Sequence, residues 1–72
     1  MNNFRPISMR KGELALLYFP ESERHAAVNR LMNWIKECRG LPEALKATGY
    51  NTHQRMLSGR QVRIITEHLG EP

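Results

Sequence analysis

Asn29, Arg30, Asn33 and Lys36 have the residue types and spacing suited to reading a nucleic acid. On a helix they share one outer face, and Asn29 and Asn33, four apart, stack along it. An Asn amide can bond adenine bidentately in the major groove. An Arg guanidinium can do the same for guanine or hold a phosphate. Asn is a poor helix former, so two in an exposed helix need a reason; recognition is one, ordinary solvated surface the other. Arg10 and Lys11 open an earlier helix, where the helix dipole prefers an acid, and that placement favours phosphate contact. Arg55 sits with Asn51, His53 and Gln54 in a polar stretch. A winged fold would lay such a stretch on the DNA backbone or minor groove, and a plain connection would look the same.

Catalytic chemistry finds no comparable constellation. All seven acids are Glu, and His25, His53 and His68 are scattered over three elements. No Ser/His/acid arrangement, paired carboxylates or phosphate-cradling Gly-rich loop can be read. Cys38 is the single cysteine, so it forms no internal disulfide, and no Cys/His spacing resembles a metal site. No base sits beside it to activate a thiolate. The expectation is a non-enzymatic protein with no cofactor and no metal.

The element that must carry the polar face is a helix over 22–38. Ala27, Val28, Leu31, Trp34, Ile35 and Cys38 recur at helical spacing and make one apolar stripe, with Trp34 expected as a core anchor. Ser22 is the natural N-cap, and Gly40 the left-handed residue that closes the helix, with Leu41 folding back. A shorter helix from Met9 to Tyr18, capped by Ser8, precedes it across the turn Phe19-Pro20-Glu21, with Leu14, Leu17 and Tyr18 inward. Helix, short turn and longer polar-faced helix is the outline of a helix-turn-helix. A third short helix runs from Pro42 to Thr48, stopped by Gly49 with Tyr50 packing back. Ser58 and Gln61 form a capping box for a fourth, Gly59 to Leu69. Ile7-Ser8-Met9-Arg10 and Leu57-Ser58-Gly59-Arg60 echo each other ahead of two helices. Pairing them as a ribbon would make the 50–57 loop a wing.

Seventy-two residues make a single domain, 1–72, with residues 1–6 an extended arm. The net charge of +4 comes from eight Arg and three Lys against the seven Glu. Arg suits bidentate contact to phosphate or guanine, although +4 also serves solubility. The N-terminus lacks the apolar run of a signal peptide, and Leu14 to Pro20 is far short of the ~20 residues that span a membrane. A cytoplasmic, membrane-free protein is the expectation.

The residues Lys-Gly-Glu-Leu-Ala-Leu-Leu-Tyr-Phe-Pro (11–20), Asn-Trp-Ile-Lys (33–36), Gly-Tyr (49–50), Leu-Ser-Gly-Arg-Gln-Val (57–62) and His-Leu-Gly-Glu-Pro (68–72) resemble a small, uncharacterised bacterial domain family of about this length. That likeness covers residues 7–72 and implies no activity. More loosely, Glu13-Leu14-Ala15, Trp34-Ile35 and Gln61-Val62 resemble in order the excisionase-like and MerR-like winged helix-turn-helix domains. The segment between Ala15 and Trp34 is longer here, and a helix precedes the wing. The fold expected is mainly α, four short helices in a helix-turn-helix-like arrangement with at most a minimal two-stranded ribbon or wing. The function expected is double-stranded DNA binding, as a small regulator or recombination-directionality factor with 22–38 as recognition helix. The alternative is a protein-protein interaction module using the same polar face or the apolar rim around Tyr18, Phe19 and Tyr50.

Overall fold

Two short extended segments hold the starts of two helices together. In a computed structural model, which describes residues 4–72, strand β1 (Met9–Arg10) pairs antiparallel with β2 (Met56–Leu57), Met9 opposite Leu57 and Arg10 opposite Met56. Helix α1 (Lys11–Tyr18) leaves directly from β1, and α4 (Gly59–Leu69) follows β2 after Ser58. Between them run α2 (Arg24–Glu37) and α3 (Leu41–Lys46). The described residues are thus mainly helical, with four helices and one two-stranded sheet. Of the expected arm 1–6, residues 1–3 lie outside the described residues.

One core serves the four helices and β2, with Met9 of β1 packed against it. Leu14 and Ala15 of α1, Ala27, Leu31 and Ile35 of α2, Leu41 and Leu45 of α3, Leu57 of β2, and Val62 and Ile65 of α4 are buried together. Burial of such side chains is the main stabilising term, about 1.5–3 kcal/mol for each fully buried Leu, Ile or Val. Among the described residues no helix is long and apolar enough to cross a membrane.

The sequence signals at the chain's second half hold closely. Gly40 has φ +85° and Leu41 behind it is fully buried. Gly49, at φ +86°, lets Tyr50 N–H reach back to the Leu45 carbonyl at 3.3 Å, closing α3. The capping box at α4 is complete: Ser58 Oγ accepts from Gln61 N–H at 3.1 Å, and Gln61 Oε1 accepts from Ser58 N–H at 3.0 Å.

The first half departs from expectation in five places. Helix α1 begins two residues late, because Glu13 rather than Ser8 does the capping; its Oε1 accepts from Arg10 N–H at 2.8 Å. Residues 9–10 are thereby left extended for the ribbon, and Met9 rather than Ile7 faces Leu57. A two-residue shift keeps the same side chains on the same face. Ser22 is not the N-cap of α2. Its N–H closes a turn onto the Phe19 carbonyl at 3.1 Å, and Glu23 takes the cap position.

Trp34 is not a core anchor, being 43% exposed, and Leu17 is 49% exposed. The buried positions of α2 are Ala27, Leu31 and Ile35, strictly four apart, so Trp34 falls to one side of the stripe. There α1 has already ended at Tyr18, and only the corner side chains Tyr18 and Phe19 remain to meet the indole.

Candidate nucleic-acid interface

The seven residues singled out in the sequence divide into three groups in space. Arg10, Lys11, Asn29 and Arg55 come together along a groove of about 630 Å³, between the start of α1, the first half of α2 and the 52–55 loop. Arg30 and Asn33 face a separate hollow beside Phe19 and Trp34. Lys36 lies further down α2, towards α3. One helix face therefore does not act as one surface. Asn29 and Arg30 are adjacent in sequence, so on a helix they point about 100° apart.

The groove contains residues that the sequence reading did not assign to a site. Arg24 and His25 open α2 and line it, one turn before Val28 and Asn29. His25 was open to inference from its four-residue step to Asn29 on the same helix, whereas nothing local to the sequence marks Arg24. Gly12 makes room for Arg24. A Cβ there would come within 2.9 Å of Arg24 Cδ and 3.0 Å of Cγ, so the bare glycine lets the arginine stem pass close over α1. The cationic lining residues Arg10, Lys11, Arg24 and Arg55 stand against one carboxylate, Glu13, already engaged by the Arg10 backbone. Among the described residues, the Asn29 amide and the guanidinium groups of Arg10, Arg24 and Arg55 have no hydrogen-bond partner.

Lys11 has a different role from the other cations. It is 8% exposed, and its Nζ donates to the Thr52 carbonyl at 3.0 Å while lying 5.3 Å from the centre of the Tyr50 ring. Its backbone N–H bonds the Arg55 carbonyl at 2.7 Å. The sequence reading offered Lys11 as a phosphate contact; its ammonium instead ties down the loop, and Arg10 beside it is the exposed cation. A buried ammonium must have partners, and a carbonyl plus a ring face supply them.

The other side of the loop is held by amides. Gln61, 5% exposed, accepts from Gln54 Nε2 at 2.9 Å and donates to Thr48 Oγ1 at 2.9 Å. Gln54 Nε2 also donates to the Met56 carbonyl at 2.6 Å, and its Oε1 accepts from Asn51 N–H at 3.0 Å. Gln54 is thus structural rather than free to read a ligand. Asn51 Oδ1 accepts from His53 N–H at 2.7 Å, an Asx turn that shapes the tip. Among the described residues no buried side-chain polar atom lacks a partner. The loop is accordingly braced from both sides, leaving Thr52, His53 and Arg55 exposed along the groove.

The second hollow is aromatic. Phe19 and Trp34 meet edge-on with centroids 4.8 Å apart, Tyr18 and Trp34 at 6.0 Å, and the Arg30 guanidinium lies 5.3 Å from the Phe19 ring centre. Arg30 also donates to Ser22 Oγ at 3.4 Å, so part of its capacity is used within the protein. The Tyr18 hydroxyl donates to the Gly70 carbonyl. Burial, then the nearby Glu71 carboxylate, pushes the Tyr18 phenol up to about 12. Among the described residues no cluster of three or more His, Cys, Asp or Glu is placed to hold a metal ion.

A small, mainly helical domain with a basic groove is the class that this geometry defines. The family model described as "Domain of unknown function (DUF4248)" matches residues 7–72, and the chain belongs to that family. No curated protein and no solved structure matches it.

Proposed function

We propose that the chain is a non-enzymatic accessory protein that binds double-stranded DNA, a small regulator or recombination-directionality factor on a winged helix-turn-helix plan. The observation that carries this reading is the groove in which Arg10, Arg24 and Arg55 flank the unpartnered amide of Asn29. Guanidinium groups at the edges of a groove suit phosphates, and a free amide between them suits a base edge. The braced 52–55 loop acts as the wing, α2 as the reading helix through its first half alone. Lone Cys38, without a disulfide partner, fits a reducing bacterial cytoplasm.

The test is titration of the purified protein against random duplex DNA at two or more salt concentrations. Three guanidinium–phosphate contacts should give a log–log salt slope of roughly −2.7. Arg24→Ala and Arg55→Ala should each weaken all sequences alike and flatten that slope by about 0.9. Asn29→Ala should cost about 1–3 kcal/mol on a preferred site and relax its sequence preference. Asn33→Ala, lying with Trp34 outside the groove, should change neither. Binding weaker than about millimolar at low salt, with no slope, ends this reading.

A further inference from the structure

We infer that the trough between α2 and α3 is a docking site for an acidic amphipathic helix of a partner protein. The trough, about 530 Å³, lies beyond the basic groove on the α2 side that carries His25 and Asn29, at Met32, Ile35 and Lys36. Buried Ile35 and Leu45 underlie it, and the half-buried Met32, Pro42 and Tyr50 line it. Tyr50 is fixed: its hydroxyl donates to Met32 Sδ at 3.5 Å, and the Lys11 ammonium sits 5.3 Å from its ring centre. The apolar surface is therefore formed before any partner arrives, and Met32 supplies an adaptable contact.

The charged residues along the trough choose the occupant. They are Lys36 on α2 and Lys46 on α3, one on each wall and both exposed, and no carboxylate is among the lining residues. An apolar strip between two cations complements a helix whose leucine-type stripe is flanked on both sides by carboxylates. DNA has no apolar knob to fill such a floor. A second copy of this chain is a poor match as well. The chain carries +4, and each of its helices in the described residues holds a single glutamate (Glu13, Glu37, Glu43 and Glu67), so none presents an apolar stripe bordered on both sides by carboxylates.

The experiment uses the full ¹⁵N-labelled chain and three synthetic helical peptides. One has leucines at i, i+3, i+4 and i+7 bordered by glutamates; the second has the same composition scrambled; the third has lysines for glutamates. The acidic peptide should shift the amides of Met32, Ile35, Leu45 and Tyr50, and bind about tenfold or more tighter than either control. The double variant K36E/K46E, both positions being exposed, should stay folded, with a melting temperature somewhat lowered because each lysine sits in the last turn of its helix, and should reverse the preference towards the lysine peptide. Equal binding of the scrambled or lysine peptide overturns the proposal. So do the absence of binding up to millimolar peptide and shifts confined to Arg10, Arg24 and Arg55. Self-association by sedimentation that K36E/K46E abolishes would assign the trough to a second copy, and overturns it too. The DNA titration reads a different set of residues, so either result can fail without the other.

Discussion

The two halves of α2 differ sharply along the side that faces the 50–55 loop. At His25, Val28 and Asn29 the helix borders a groove with arginines around it; at Met32, Ile35 and Lys36 it borders an apolar trough. The spacing is continuous through both, so the helix itself does not divide them. The divider is the Tyr50–Thr52 backbone, and the Lys11 ammonium pins it through the ring and the carbonyl. Which chemistry a helical face offers is here decided by what lies opposite it. That lesson explains why a four-residue set chosen from one helical wheel fell into three different surroundings.

The change expected to damage both halves most is Leu31→Ala. Leu31 is fully buried between them on the core side of α2, and its loss should cost about 2–5 kcal/mol by urea denaturation. DNA and peptide binding should fall together with the folded fraction, and not otherwise.

Gln61→Ala comes next, at about 2 kcal/mol, since it leaves the Ser58 N–H without its acceptor and takes one of two partners each from the Gln54 amide and the Thr48 hydroxyl in a part-buried network. It should loosen the loop tip first, so amide exchange at 51–55 rises and DNA affinity drops more than peptide affinity.

Lys11→Met keeps the apolar stem but removes the pin, at a net cost of about 1 kcal/mol, because shedding a desolvated charge offsets part of the lost bond. Loss of loop protection with the salt slope unchanged would separate a positioning role for Lys11 from a phosphate contact. A slope reduced by about one unit would restore the phosphate role.

Tyr18 should leave the comparison untouched and so serves as its control. Its folded phenol, at about 12, lies above the ordinary 10, so the unfolded chain loses the proton first as pH rises. Stability should be unaffected by this group below about pH 10 and decline between about 10 and 12. Tyr18→Phe should remove that component of the decline. Absorbance titration near 295 nm should show Tyr18 ionising about two pH units above a free phenol.

Signals written within a few neighbouring residues were legible beforehand. Ser58 with Gln61, Gly40 before Leu41, and Gly49 before Tyr50 are local codes, and each appears in the fold with its hydrogen bond or positive φ. The ribbon was legible as a pairing but not in register, because Glu13 competes with Ser8 for the cap of α1 and wins by meeting the Arg10 N–H. For the site, Arg10, Asn29 and Arg55 could be proposed from residue type alone. Arg24 could not, since its place depends on the bare face of Gly12 in another helix. Nor could the burial of Lys11, which needs Thr52 and Tyr50 brought from far along the chain. Trp34 was misplaced because a wheel records direction and not the length of the neighbouring helix.

The ribbon also bears on the order in which the chain assembles. Met9 and Leu57 are brought side by side from nearly opposite ends of the described chain, whereas α1 and α2 are joined by a short turn. Closing the larger loop carries the greater entropic cost, so helix pairing should precede strand pairing on the way to the native state. The lone tryptophan, packed edge-on against Phe19 where α1 meets α2, reports the earlier event. Conservative substitutions at Leu14 or Ala27 should then slow refolding, and those at Met9 or Leu57 should chiefly speed unfolding. Stopped-flow fluorescence of the four variants reads this directly, and equal slowing of refolding in all four would show that the strands are already paired in the transition state. Both the basic groove and the apolar trough are bordered by the loop that the ribbon positions, so each is completed only in that final step.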